Sequence, residues 1–140
     1  MKRQHGVTLV ELLIVLVILA GLIAFAYPSY VKQVQKTKRA ECEGVLLELA
    51  TAMERDFSEN NQYRDIITAG LFGDACPTDP GTTATYGLSI DSLTPATAPT
   101  SYRLVAAPSG TQTDDFCGQL TLSSTGVKTA AGGTVARCWR

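Results

Sequence analysis

A long apolar run near the N-terminus, interrupted by one acidic residue, most constrains how this chain can fold. The run extends from Val7 to Ala26, and Glu11 is its only charged side chain. As an α-helix it would be about 30 Å long, which matches the hydrocarbon thickness of a bilayer. A carboxylate inside such a helix costs on the order of 2.5–3.5 kcal/mol even on lenient insertion scales. We therefore expect Glu11 to have a partner, and the nearest candidate is a positively charged N-terminus at Val7 of another copy of the chain.

The residues at the start of this run resemble the class III signal of type IV prepilins and pseudopilins. In that family a short basic leader ends in Gly, a membrane peptidase cuts after it, and the exposed residue is N-methylated. Gly6, Val7, Thr8 and Glu11 match the family positions one for one, although Val7 replaces the usual Phe, and Pro28 matches a further family feature. The resemblance implies three segments: a leader over residues 1–6, a hydrophobic transmembrane and assembly helix over residues 7–28, and a periplasmic or extracellular head over residues 29–140.

A conventional secretory signal peptide is the alternative for this region. Residues 24–26 form an Ala-x-Ala cleavage site, and cutting there would release a soluble domain that starts at Tyr27. Pro28 would then stand two residues beyond the cut, which is unfavourable for signal peptidase. A disposable signal also has no need of Glu11, so the sequence favours the prepilin interpretation.

Charge gives no electrostatic case for general nucleic-acid binding. The whole chain carries 12 basic and 13 acidic side chains, and two of the basic ones, Lys2 and Arg3, belong to the leader. The remaining chain is therefore slightly acidic, whereas nucleic-acid-binding domains are usually basic. We expect Tyr102 and Trp139 to pack inside the head rather than to stack on bases.

Beyond Pro28 the pattern changes from wholly apolar to amphipathic, which predicts that one helix continues to about Ser58. Apolar side chains recur there at steps of three and four residues, and most charged side chains fall on other faces. Such a stripe must be covered by the chain that follows it. The residues of the stripe are Cys42, Val45, Leu46, Leu49, Met53 and Phe57.

Four basic side chains cluster just beyond the apolar run. One interpretation is a solvated helix face. The other is pairing between subunits, with acidic side chains of a neighbouring copy as partners. The basic residues are Lys32, Lys36, Lys38 and Arg39, and the acidic candidates include Glu41, Glu43 and Glu48.

The four cysteines suit two disulfides in an oxidising compartment. Zinc sites usually bring two ligands together as Cys-x-x-Cys, and this sequence has no such pair. Three pairings are possible. We favour Cys42–Cys76, which would tie the helix to the loop after it, and Cys117–Cys138, which would close the C-terminal region. Each disulfide would stabilise the fold by about 3–4 kcal/mol in the loop-entropy model.

The second half of the sequence predicts a small antiparallel sheet that covers the apolar stripe. Glycine and proline mark residues 61–85 as a long irregular connection with one helical turn at 66–71. Alternating patterns then predict short strands, and a Thr/Pro/Ala loop separates the first two. The predicted strands cover residues 86–90, 102–106, 119–123 and 127–130, and the loop covers residues 93–100.

This order of elements resembles the type IV pilin architecture. The segments Cys117–Leu122 and Cys138–Arg140, together with Gly126, are similar to minor pilins of the PilE kind. The predicted fold class is therefore α+β: a type IV pilin fold in which a long N-terminal helix packs on a small antiparallel sheet with a disulfide-closed C-terminal region.

An enzyme is not expected. The only histidine, His5, lies in the leader, so the processed chain has no Ser-His or Cys-His pair and no imidazole ligand. Asp114 and Asp115, with Asp79 or Asp91, offer oxygen atoms for calcium, but nothing resembles an EF-hand and a solvated loop is favoured. We expect no cofactor and no bound metal.

We therefore expect an inner-membrane prepilin with a single membrane span and a periplasmic head. It would be cut between Gly6 and Val7 and polymerised into an extracellular type IV pilus, as a minor rather than a major subunit, to support motility, adhesion or DNA uptake. The implied partners are other pilin subunits, the prepilin peptidase, the inner membrane and the pilus assembly platform. The alternatives are a type II secretion pseudopilin, or a tip adhesin or DNA-binding minor pilin; no sequence feature supports DNA or surface binding.

Overall fold

The computed structural model describes residues 7–78, 81–95, 97 and 99–139. The chain forms two compact units, one that ends at Lys36 and one that begins at Thr37. The elements in chain order are α1 (Leu9–Asn60), β1 (Ala75–Cys76), β2 (Tyr86–Thr94), β3 (Ser101–Pro108), a 3₁₀ turn (Gly110–Gln112), β4 (Leu120–Ser123), β5 (Lys128–Ala130) and α2 (Val135–Cys138).

In the first unit, helix α1 presents apolar side chains on every face. Each residue from Val7 to Tyr30 is exposed, and this part of the helix is long and apolar enough to cross a membrane. The helix continues through Pro28, whose ring prevents one backbone hydrogen bond. An all-round apolar helix with no buried side chain is typical of a segment that lipid or other helices surround.

In the second unit, α1 becomes one wall of a packed core. Cys42, Leu46, Leu49 and Met53 are fully buried at steps of three and four residues, as one face of a helix requires. The helix ends at Asn60 because the next residue adopts a left-handed backbone with φ of 55°, a conformation that asparagine tolerates.

The sheet supplies the other wall of the core. Its strands lie in the order β1-β2-β3-β4-β5, and every neighbouring pair is antiparallel. Tyr86, Leu104 and Leu120 are fully buried, while Arg103 and Ser123, which pair across β3 and β4, point to the other face. The predicted α+β fold, a long helix with a small antiparallel sheet, is confirmed.

The strand boundaries differ from the sequence-based expectation. Strand β2 continues to Thr94 rather than ending at residue 90, because a bulge between Ile90 and Ser92 shifts the register and lets pairing with β3 resume. The hairpin loop is correspondingly shorter than predicted. The two-residue strand β1 and the four-residue helix α2 are too short to leave a periodic pattern, and the sequence did not predict them.

Candidate functional site

The start of α1 brings two of the predicted assembly residues, Thr8 and Glu11, together. Thr8 directly precedes the helix, and its Oγ1 accepts a hydrogen bond from the backbone N–H of Glu11 at 3.2 Å. This is the spacing of a capping box, in which Ser or Thr precedes Glu by three residues. Glu11 also lies in the first turn, where the helix dipole favours a negative charge. Thr8 therefore has a local structural role that its resemblance to a processing motif did not reveal.

Val7 and Glu11 lie on an open apolar surface. Val7 is 65% exposed, and apolar neighbours such as Leu9 and Leu16 are exposed to a similar degree. In a low-dielectric surrounding, attraction between a carboxylate and an amine is much stronger than in water. The arrangement can therefore pair Glu11 with an ammonium group from another helix. Gly6, the other residue of the predicted cleavage site, lies outside the described residues.

The cysteines form two disulfides. Cys42 joins Cys76 with a Cα–Cα distance of 5.4 Å, and Cys117 joins Cys138 with a Cα–Cα distance of 5.6 Å. These are the two pairings that the sequence favoured. The first ties α1 to β1, and the second joins the loop before β4 to the short helix α2.

A buried ion pair corrects the prediction for Arg39 and Asp115. The sequence predicts that Arg39 belongs to a solvated or intersubunit basic cluster and that Asp115 lies in a solvated loop. The structure instead buries both side chains and places Arg39 Nη1 2.6 Å from Asp115 Oδ1. Tyr86 donates its hydroxyl hydrogen to Asp115 Oδ2 at 2.8 Å, and Gln112 Nε2 donates to the Tyr86 hydroxyl oxygen at 3.3 Å. Burial, followed by the neighbouring Asp115 carboxylate, raises the pKa of Tyr86.

Glu54 organises a second polar cluster on α1. Its carboxylate accepts hydrogen bonds from the hydroxyls of Tyr63, at 2.9 Å, and Tyr102, at 3.0 Å. The two rings meet edge to face with centroids 4.7 Å apart. Burial and the Glu54 carboxylate raise the pKa of Tyr63 to about 12, so the phenol stays protonated and continues to donate. Tyr102 is thus a packing residue, as expected.

The C-terminal region combines aromatic rings with cationic side chains. The Arg137 guanidinium lies 4.4 Å from the centroid of the Phe116 ring, which is 56% exposed. The Lys128 ammonium lies 5.0 Å from the centroid of the Trp139 ring. Trp139 is buried, as predicted, and its indole N–H donates to the Thr129 carbonyl at 2.8 Å. Such cation–π contacts hold the cations against the surface while leaving their charge available.

Comparison with known proteins assigns the chain to a family. A family model described as "Type IV minor pilin ComP, DNA uptake sequence receptor" matches residues 28–121. The chain belongs to this family of type IV minor pilins. A second model, described as a prokaryotic N-terminal methylation motif, matches residues 1–27. Together they confirm the resemblance to prepilins and the preference for a minor pilin.

Individual relatives agree with this assignment. The chain is 40% identical over 63 residues to the type IV major pilin protein PilA of Myxococcus xanthus, a match that spans 45% of this chain and 29% of that relative. A type IV pilin from Shewanella oneidensis superposes with a TM-score of 0.50 at 25% identity, over 76% of this chain and 98% of that one. The Neisseria meningitidis non-core minor pilin PilV has the same TM-score at 20% identity, over 73% of this chain and 91% of that one, and shows the likeness of fold alone.

The sequence contained a signal for one of the missed residues but not for the other. Arg39 stands three residues before Cys42 and so extends the spacing of the buried stripe by one turn. Because arginine is charged, it was not counted in a stripe that is defined by apolar side chains. Asp115 lies in a loop with no periodic pattern, and only the three-dimensional path of that loop places it against α1.

Proposed function

We propose that this chain is a minor subunit of a type IV pilus, made as a prepilin and assembled through its N-terminal helix. Glu11 carries the proposal, because it places one carboxylate on an otherwise apolar exposed helix, one turn from Val7. A monomer in lipid has to accommodate that charge at a cost. A filament offers it the amine of Val7 on an adjacent subunit, so assembly relieves a cost that the monomer carries.

The same proposal includes how the chain is processed and where it is located. A prepilin peptidase cuts between Gly6 and Val7, and the new N-terminus becomes N-methyl-Val7. Before assembly the subunit spans the inner membrane once, over residues 7–28, with its head in the periplasm. The assembly platform then transfers it to a filament made with other pilin subunits. The N-terminal methylation model over residues 1–27 and the length of the apolar helix support this course.

Variants of Glu11 test the proposal. Glu11→Gln keeps the size of the side chain and removes its charge, so insertion and the cut at Gly6–Val7 should persist while incorporation into pili falls. Glu11→Leu should make membrane insertion of the monomer more favourable, because it removes the carboxylate, and should reduce incorporation into pili as well. Immunoblots of sheared pili against the membrane pool measure this ratio.

Asp114→Asn is the matched control, because it removes one charge from an exposed position of the head. It should enter pili as the wild type does. If both Glu11 variants also enter sheared pili at the wild-type level, Glu11 has no part in assembly.

A second candidate function is local binding of duplex DNA. The matched family model is described as a DNA uptake sequence receptor. In the described part of the chain, Lys128 and Arg137 make cation–π contacts and no ion pair, so both charges remain available to phosphates. Exposed Phe116 lies beside Arg137 and adds an aromatic surface. Because the chain is slightly acidic overall, binding would be confined to this surface and would weaken steeply with salt.

Fluorescence anisotropy with labelled duplex DNA tests this second function on the full-length chain in detergent. Arg137→Gln should weaken binding and lower the slope of log affinity against log salt by about 1. Arg55→Gln, which removes an exposed arginine from α1, should leave both quantities unchanged. Equal affinities for all three proteins would remove the C-terminal surface from DNA binding.

A further inference from the structure

A band of aromatic and basic side chains follows the membrane-length part of α1. Tyr27 and Tyr30 are 67% and 68% exposed, and Lys32, two residues further on, is also exposed. From Leu12 to Ala40 the sequence contains no acidic residue. Tyrosine is enriched where a helix leaves the hydrocarbon core, and lysine is attracted to anionic headgroups. The band therefore has the composition of a membrane interface.

Two of the four basic residues in this region already interact with other residues of the head. Arg39 is paired with Asp115, and Lys38 Nζ donates a hydrogen bond to Thr111 Oγ1 at 3.1 Å. Among the residues that the structure describes, Lys32 and Lys36 take part in no ion pair. The two lysines are four residues apart, so they project from the same face of the helix. Two positive charges on one face are thus left for a partner outside the chain.

Distance along the helix places these charges at headgroup level. If the apolar run ends at Ala26, the Cα of Lys32 lies about 9 Å beyond the hydrocarbon and that of Lys36 about 15 Å beyond it. Helical side chains lean toward the N-terminus, which here is the membrane side. Lysine side chains also extend toward the interface that suits their charge. Lys32 thus reaches the phosphate layer, while Lys36 acts through the surface potential, screened over about 8 Å.

We propose that Lys32 and Lys36 form a binding site for anionic phospholipid headgroups, while Tyr27 and Tyr30 anchor the other face of the helix at the same interface. The site holds the unassembled subunit at a fixed depth in the bilayer. It rests on the membrane span of the proposed function, but it requires neither cleavage nor assembly. Charge complementarity and direct continuity with the membrane-length helix favour lipid over a protein partner, because the headgroups lie beside the lysines as soon as the chain is inserted.

Competition between two lipids tests the site. The uncut full-length chain is purified in detergent with equimolar phosphatidylglycerol and phosphatidylcholine, and native mass spectrometry measures the ratio of the two lipids bound. The wild type should retain mainly phosphatidylglycerol. Lys32→Gln should lower that ratio about fivefold, and Lys36→Gln about twofold because of screening. Arg55→Gln removes a positive charge from an exposed position of the head and should have no effect.

Two results would overturn the lipid site. One is a wild-type lipid ratio in the Lys32→Gln/Lys36→Gln double variant. If Lys32→Glu/Lys36→Glu is then lost from pili and a further Glu48→Lys change restores it, the lysines belong to a contact between subunits. The second result is extraction of the wild type from vesicles by alkaline carbonate, which would refute the membrane span itself. Poor assembly of Glu11 variants bears on the proposed function alone, since the lipid measurement uses uncut monomers.

Discussion

Replacing Arg39 by Gln should destabilise the head by about 3–5 kcal/mol, the usual cost of breaking a buried ion pair by removing one partner. The side chains of Arg39 and Asp115 are only 10% and 3% exposed, so water cannot replace the lost contact. Asp115 would keep the Tyr86 hydroxyl as a donor but would lose its charged partner at 2.6 Å. For a head of about 100 residues, such a loss corresponds to a drop in Tm of about 12 °C or more.

Urea unfolding of the full-length chain in detergent measures this cost. Trp139 is the only tryptophan and is 5% exposed, so its fluorescence reports on the head. Asp115→Asn should lower the free energy of unfolding by a similar amount, because it leaves the Arg39 guanidinium buried without its counter-charge. The double variant should lose less free energy of unfolding than the two single variants together. In the double variant neither side chain is left as a buried charge without its partner.

Arg55→Gln provides the matched control. Arg55 and Glu59 form an exposed ion pair at 3.6 Å, and such pairs contribute at most about 1 kcal/mol. If Arg39→Gln lowers the free energy of unfolding no more than this control does, or if the effects of the two single changes simply add, the buried pair does not stabilise the head.

Two further predictions concern the head. The hydrogen bond from Arg64 lowers the pKa of Asp56 below its ordinary value of 3.8, so the stabilisation from this pair is complete above that value and lost as pH falls through the lower, folded-state pKa. Arg64→Gln should therefore lower the free energy of unfolding at pH 7 and lower it progressively less as pH falls below 3.8, as measured by urea titration across that range; an equal loss at every pH would contradict the linkage. A Cβ at Gly132 would lie 1.8 Å from the carbonyl oxygen of Phe116, whereas one at Gly44 meets nothing within 4 Å. Thermal unfolding should show that Gly132→Ala destabilises by about 1–3 kcal/mol and that Gly44→Ala stabilises by about 0.5–1 kcal/mol, and a tolerated Gly132→Ala would refute the close approach.

Periodic segments were predictable from the sequence. The amphipathic half of α1 was evident because its core face repeats at three- and four-residue steps over several turns, from Cys42 to Met53. The central strands were predictable because burial alternates along them, as in β4. Three disulfide pairings were possible from the sequence, and the favoured one, which the structure contains, rested on where the helix, the loop and the C-terminal region were expected to lie.

Features that depend on tertiary contact were not predictable. The bulge in β2 depends on its pairing with β3, which no local pattern encodes. The Arg39–Asp115 pair joins residues 76 positions apart, and an isolated charge in a sequence is normally solvated.

The cap formed by Thr8 is different, because it is local and can be recognised from the Thr-x-x-Glu spacing. The same two residues also match a processing motif, and the sequence-based interpretation rested on that motif alone.

The mass and first residue of the chain in sheared pili show whether it is cut after Gly6 and assembled through its N-terminal helix. Intact-mass and N-terminal peptide analysis of a purified filament fraction would report processing and incorporation together. We predict a chain that begins with N-methyl-Val7 and is present at a small fraction of the major subunit. A chain that begins at Tyr27, or one that is absent from filaments while its membrane pool is intact, would contradict assembly through the N-terminal helix.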